Sequence, residues 1–316
     1  MWDDVREGWN AGPGRAARLA AAEARLFTRR PTGFDAFIVG YPGHLDLPAA
    51  RRAAGRRPVV FNPLVSLADT LVSDRGRFGP GSLPARVLER IDRQAFRSAD
   101  LVVADTGAHA QFLAQLTGRS DISVCFVGAE ERLFRPGWQA RSPFTTLFVG
   151  KLIPLQGVET ILAAAALAPE LPFRLVGSGQ LAQLLDARPA NVEHLAWIEY
   201  ERLPDELRRA GCALGIFGTT AKAQRVIPNK VFQALACGVP VVTADTPAAR
   251  ELLADGESAL LIPPGDPAAL AEAVRRLAAD EELARRVATG GRAAYERAAS
   301  ETVLGSRWRA LIEGLL

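Results

Sequence analysis

The sequence predicts an α/β protein of two doubly wound parallel-sheet domains with a cleft between them. Short apolar runs bounded by Gly, Pro and Asp alternate with Ala-rich helical patterns along the chain. At 316 residues the chain is too long for one ordinary domain. A polar stretch at 136–143 (PGWQARSP) divides the runs into two series and reads as a linker. The expected domains are therefore 1–138 and 139–316.

In the first series the strands are expected at 35–40 (DAFIVG), 58–62 (PVVFN), 101–104 (LVVA) and 122–127 (ISVCFV). Helices fall at 84–98 and 106–117. In the second series strands are expected at 144–149, 172–176, 191–195, 212–217, 240–243 and 259–262. Helices fall at 157–168, 200–210, 229–237 and 267–278, and a final helical run, 281–316, is expected to pack across both domains. The first series has four strands against six in the second. Residues 15–29 (RAARLAAAEARLFTR) read as a helix where an opening strand belongs. The expectation is that the native first strand, central in such a sheet, is missing from the recorded chain and that the gene begins upstream. Its loss would leave two exposed edges inside the sheet.

Composition narrows the function. Hydrophobic residues make up 48% and charged residues 23%, an ordinary globular balance. The longest apolar run, 161–168 (ILAAAALA), is too short to span a bilayer, and the start MWDDVREGWN has no signal-like apolar core. Cys125, Cys212 and Cys237 are scattered without a CxxC, which fits a reducing cytosol rather than disulfides or zinc. A net charge of +3 gives little support to nucleic acid and suits an anionic ligand or an anionic membrane surface equally. There is no GxxxxGK[ST], no GxSxG and no Asp-x-Asp. His44, His109 and His194 are too dispersed for a metal site, so no metal and no cofactor are expected.

Three stretches carry candidate chemistry. In 224–242 (QRVIPNKVFQALACGVPVV), Val231, Phe232 and Leu235 share one helical face, with Asn229, Lys230 and Gln233 opposite. Most helices have a solvated polar side. Here Pro228 and Asn229 suit a helix start, and the preceding loop adds Lys222 and Arg225, which together favour an anion. In 149–164 (VGKLIPLQGVETILAA), Gly150 ends a strand, Lys151 follows as a point charge, and Gly157 opens a helix where a phosphate can approach. The alternative is a βα loop with one solvated lysine. In 175–182 (LVGSGQLA), Gly177 and Gly179 meet G-x-G-x-x-A but sit on the second strand of their domain, so a tight cleft-lining turn is expected rather than NAD binding. His44, in GYPGHLD after the first strand, is read chiefly as a solvated loop residue and otherwise as an acceptor contact. Asp69 is assigned to the acceptor side with it.

These blocks resemble glycosyltransferase family 4, the retaining nucleotide-sugar transferases of the GT-B fold, from about Asp35 to the end. The likeness is strongest over 147–265, through LFVGKLIPLQGVETILAA, LVGSGQ, ALACGVPVVTAD and LLIPPGDPAALAEAV. FVGAEERLFRP resembles the family's pNG-x-D-x-x-x-F-x-P. The family's Gly-Arg-Leu and Lys-Gly correspond to Gly150-Lys151-Leu152 and Gln156-Gly157, so one cation is kept and one lost. Its two glutamates, eight apart, correspond to Arg225 and Gln233, so neither is present. The resemblance implies that Gly150, Gly157, Gly177, Gly179, Lys222, Asn229 and Gln233 hold the donor. Lys151, Arg225 and Lys230 would stabilise the leaving diphosphate. It implies sugar transfer with retention and without metal, to a glycan, lipid or small-molecule acceptor, in the cytoplasm or at the inner membrane face. The alternatives are a non-catalytic GT-B protein that binds a nucleotide or partner and, with less support, a GT-B sugar epimerase.

Overall fold

A computed structural model of the chain describes Thr28 and residues 32–140 and 143–316. The helix expected at 15–29 lies outside these apart from Thr28. The first sheet consists of β1 (Phe37–Val39), β2 (Val59–Phe61), β3 (Leu101–Ala104) and β4 (Ile122–Val124), all parallel and ordered β1-β2-β3-β4. Pairing is unbroken, with Phe37 opposite Val59, Val60 opposite Leu101 and Val102 opposite Ile122. No unpaired edge lies inside this described sheet. Its helices are α1 (Leu47–Ala54), α2 (Leu83–Ser98) and α3 (Gly107–Thr117). Sequence reasoning passed over α1, because the Gly-, Pro- and Asp-rich GYPGHLD before it reads as loop. A six-residue π-helical turn, Asp69–Asp74, precedes α2.

The second sheet contains β5 (Thr146–Val149), β6 (Phe173–Val176), β7 (Val192–Leu195), β8 (Cys212–Leu214), β9 (Val241–Ala244) and β10 (Leu260–Ile262). Its order is β10-β9-β8-β5-β6-β7, all parallel. The winding reverses between β5 and β8, which is where such sheets open a crevice at their carboxyl ends. Around it pack α4 (Val158–Leu167), α5 (Leu203–Arg209), α6 (Asn229–Cys237), α7 (Pro247–Arg250), α8 (Pro267–Ala279) and α9 (Glu281–Ala298). β8 stops short of the expected 212–217 because the chain leaves the ladder after Gly215. The Ile216 amide turns to Thr243 Oγ1 at 3.2 Å and the Phe217 amide to the Gln156 carbonyl at 3.1 Å.

The final helical run is two helices, α9 and α10 (Glu301–Glu313), divided where the Ser300 hydroxyl caps the second by accepting from the Val303 amide. Leu304, Trp308, Leu311 and Leu315 pack on Val60, Leu101, Val103 and Cys125 of the first sheet. The crossing is fixed by a reciprocal pair: the Glu131 amide donates to Glu301 Oε1 at 2.9 Å, and the Glu301 amide to Glu131 Oε1 at 3.0 Å. The connecting segment itself adheres to the second domain. Phe134 is fully buried in that domain's core, and Trp138 Nε1 donates to the Ala210 carbonyl at 2.7 Å. Among the described residues no helix is long and apolar enough to cross a membrane.

Candidate functional site

At the carboxyl ends of β5 and β6 two loops interlock. The Leu152 amide donates to the Ser178 carbonyl at 3.0 Å, and the Leu181 amide to the Leu152 carbonyl at 2.9 Å. Gly177 has φ +145°, and a Cβ there would lie 1.8 Å from the Gly150 carbonyl oxygen. The two loops can meet this closely only without a side chain at 177. The glycine pair Gly177 and Gly179 is thus a device for loop-on-loop contact. Gly157 is required for a similar reason. Its φ is +68°, and a Cβ would stand 2.6 Å from the Phe217 carbonyl carbon. It was expected for the approach of a phosphate; the 217–218 backbone by itself already requires a glycine here.

Lys151 stands exposed on the first of these loops. Behind the loop lies Lys230. Its Nζ donates to Gln156 Oε1 and sits 3.7 Å from the centroid of the Phe148 ring. Space for the amine depends on Gly150, where a Cβ would come within 2.6 Å of Nζ. Neither α4, which opens at Gly157, nor α6, which opens at Pro228, has a side-chain cap. Two uncapped helix starts, one exposed lysine and one half-buried lysine therefore converge on the reversal point, an arrangement suited to an anion. Lys230 sits beside Gln156, the position at which the sequence had lost a cation. Asn229 is exposed in the first turn of α6. Gln233, one turn further, stands near the Tyr200 hydroxyl.

Burial holds the Lys230 amine well below the usual lysine range. A diphosphate at this site would favour the charged amine and raise its pKa again. Binding should then take up a proton. Affinity should be greatest below the lowered pKa of the free protein and fall as pH rises through it. Calorimetric titration with a nucleoside diphosphate, in two buffers of unlike ionisation enthalpy, checks this. Equal heats in both would mean that Lys230 does not change its protonation.

The other cations face elsewhere. Lys222, expected at the diphosphate, is buried and donates from Nζ to Thr70 Oγ1 of the first domain at 2.7 Å. Arg225, also expected there, pairs with Asp69 at 2.7 Å and lies 3.9 Å over the Phe112 ring centroid. Its own carbonyl accepts from Thr106 Oγ1 at 2.5 Å. A further cross-domain contact was not legible beforehand. The Glu251 carboxylate accepts from the amides of Gly107 and Ala108, at 2.7 and 2.8 Å, and so caps α3 from the other domain. Asp69 is thus a partner of Arg225 on the interdomain face.

His44 is not the solvated loop residue expected. It is buried, edge-on to Phe61 and Phe96, and its Nε2 lies 3.2 Å from Asp92 Oδ1. Asp92, fully buried, also accepts from Ser66 Oγ at 2.6 Å and from the amides of Leu67 and Ala68 at 2.9 and 3.0 Å. The pair belongs to the core and anchors the loop that presents Asp69. The cysteines are buried and unreactive, with burial pushing Cys212 up to about 12 and Cys237 up to about 11. Among the described residues no three His, Cys, Asp or Glu side chains gather as metal ligands.

One signal in the sequence singles out these loops. Of 38 basic residues only three are lysines, and they are Lys151, Lys222 and Lys230. Every other cation is arginine, whose broad guanidinium does not fit where a compact amine is buried beside a glycine.

Residues 143–280 match the family described as glycosyl transferases group 1. A D-inositol 3-phosphate glycosyltransferase of Thermomonospora curvata is 31% identical over 238 residues, covering 63% of this chain and 53% of that protein. The chain thus spans about half the length of that relative. In structure it is similar to a sucrose-phosphate synthase from Thermosynechococcus elongatus (TM-score 0.72, 19% identity, covering 94% of this chain and 77% of the other). It is likewise similar to Anabaena HepE, solved in complex with UDP (TM-score 0.71, 18% identity, covering 94% and 82%). The chain has the GT-B fold, and its second domain is that of a divergent group 1 glycosyl transferase.

Proposed function

We propose that the protein moves a sugar from a nucleotide-sugar donor to a glycan, lipid or small-molecule acceptor, with retention of configuration and without metal. The observation that carries this is the convergence of Lys151, Lys230 and two uncapped helix starts on the interlocked glycine loops of the second domain. The relative named for an inositol phosphate substrate and the UDP complex of HepE fit the same chemistry. As the glycosidic bond to the diphosphate breaks, negative charge grows on the leaving oxygen. Lys151, the Lys230 ammonium and the helix amides are placed to stabilise it. The leaving oxygen itself takes the acceptor proton on the same face, so the scheme asks for no protein base.

Two results test this. Lys151→Ala should weaken a nucleoside diphosphate about tenfold or more and the parent nucleoside little, since only the former carries the charge that the lysine meets. Equal loss for both in a titration would assign Lys151 to folding. Transfer from a nucleotide sugar should survive EDTA; activity lost to chelator and restored by manganese would refute the metal-free scheme.

A non-catalytic binding protein is the second reading. What favours it is the Arg225–Asp69 pair, a cation engaged with the first domain at a position where the family has a glutamate. Tight nucleotide binding with neither transfer nor donor hydrolysis would select it.

A further inference from the structure

Asp74 ends the π-helical turn of the first domain and faces the 218–228 loop of the second. The same turn presents Asp69 to Arg225 and Thr70 to Lys222, at 2.7 Å each. Asp74 is the exception. It is only 4% exposed, its Oδ1 is 3.4 Å from Thr220 Oγ1, and its Oδ2 is buried with no hydrogen-bond partner. Lys222 is near enough to act on it through charge, yet the two make no ion pair within 4.0 Å. Burial raises the Asp74 pKa against the pull of Lys222 and Arg75, with Asp69 adding to the rise. A carboxylate held this way is a cost to the fold. Groups left in such a state between two domains are commonly held for a ligand.

We propose that Asp74, with Lys222 opposite, is a carbohydrate-hydroxyl site of the interdomain cleft. The carboxylate accepts the hydroxyl hydrogen at Oδ2, and the Lys222 amine can donate to the hydroxyl oxygen. A hydroxyl is suited to this pair because it is donor and acceptor at once. Apolar groups would leave both charges unmet, and a second anion would be repelled by Asp69 and Asp74. The proposal rests on the sugar-transfer reading above and names a residue of the first domain, Asp74, that the group 1 match does not reach. The hydroxyl can come from the donor sugar or from the acceptor, and the two sources are separable.

The test compares wild type with Asp74→Asn. For the donor, UDP and UDP-glucose are titrated into each. For the acceptor, glucose and myo-inositol are offered in the presence of UDP, and their contact with the protein is followed by saturation-transfer NMR. The variant should melt no lower than wild type, because it removes an uncompensated buried charge. It should bind UDP unchanged. It should lose about tenfold in affinity in one arm, UDP-glucose if the hydroxyl belongs to the donor, or the free polyol if it belongs to the acceptor. Unchanged binding in both arms overturns the proposal. So does a lower melting temperature with equal loss of UDP, which would make Asp74 a structural residue; Asp74→Glu, which keeps the charge, should then fail to restore stability. Wild type that binds no nucleotide fails at the first titration and removes the sugar-transfer reading itself, and this site with it.

Discussion

Gly177→Ala is expected to abolish nucleotide binding and to lower the melting temperature of the second domain. The new Cβ would lie 1.8 Å from the Gly150 carbonyl oxygen, a backbone atom that cannot swing away as a side-chain tip can. The backbone at 177 has φ +145°, which costs a residue with a side chain about 1–3 kcal/mol on its own. Relief requires the β5 and β6 loops to part, which breaks the Leu152 to Ser178 and Leu181 to Leu152 bonds. It also moves Gly150, which makes room for the Lys230 amine. Gly40→Ala is the matched control. It stands just past β1, where a Cβ meets nothing within 4 Å, and should leave melting and nucleotide affinity as they were. A Gly177→Ala protein with wild-type affinity would show that the interlocked loops do not form the binding surface.

Asp92→Ala should be the most damaging change in the first domain, at about 3–5 kcal/mol. It orphans three donors at once, Ser66 Oγ and the amides of Leu67 and Ala68, and removes the carboxylate that lies 3.2 Å from His44 Nε2. Asp92 is 0% exposed, so no water reaches them. The damage should spread to the cleft, because the freed 66–68 loop leads directly into the turn that carries Asp69, Thr70 and Asp74. Asp92→Asn should lose less, since the amide oxygen still accepts while its NH2 confronts a donor. Chemical denaturation of the three proteins ranks them. An Asp92→Ala protein as stable as Asp92→Asn would mean that the three donors are not paired as described.

The alternation of apolar runs located all ten strands of the described residues, because each is bounded by Gly, Pro or Asp and each buried strand needs a nearly continuous apolar segment. It also located the loop that carries Lys151 and the helix start that carries Lys230, since helix starts and glycines leave a local mark. It did not locate what depends on the other domain. Lys222 and Arg225 have the composition of an anion site, and only the fold reveals that Thr70 and Asp69, some 150 positions away, already meet them. His44 was misjudged for a related reason. Its loop is rich in Gly and Pro, as a solvated loop would be, while the burial comes from Phe61 and Phe96 on other elements. Glu251 and Asp92 were silent because a capping or anchoring carboxylate looks like any other acid until its amide partners are brought to it. The scarcity of lysine was readable throughout, and two of the three lysines, Lys151 and Lys230, lie at the carboxyl ends of the second sheet.

Calorimetric titration of the full chain with UDP, GDP and ADP tests the central claim most directly, that the glycine loops of the second domain form a diphosphate site. Saturable binding of at least one of them is predicted, weakened by Lys151→Ala and lost in Gly177→Ala. No binding of any of the three, or binding indifferent to both substitutions, would contradict it.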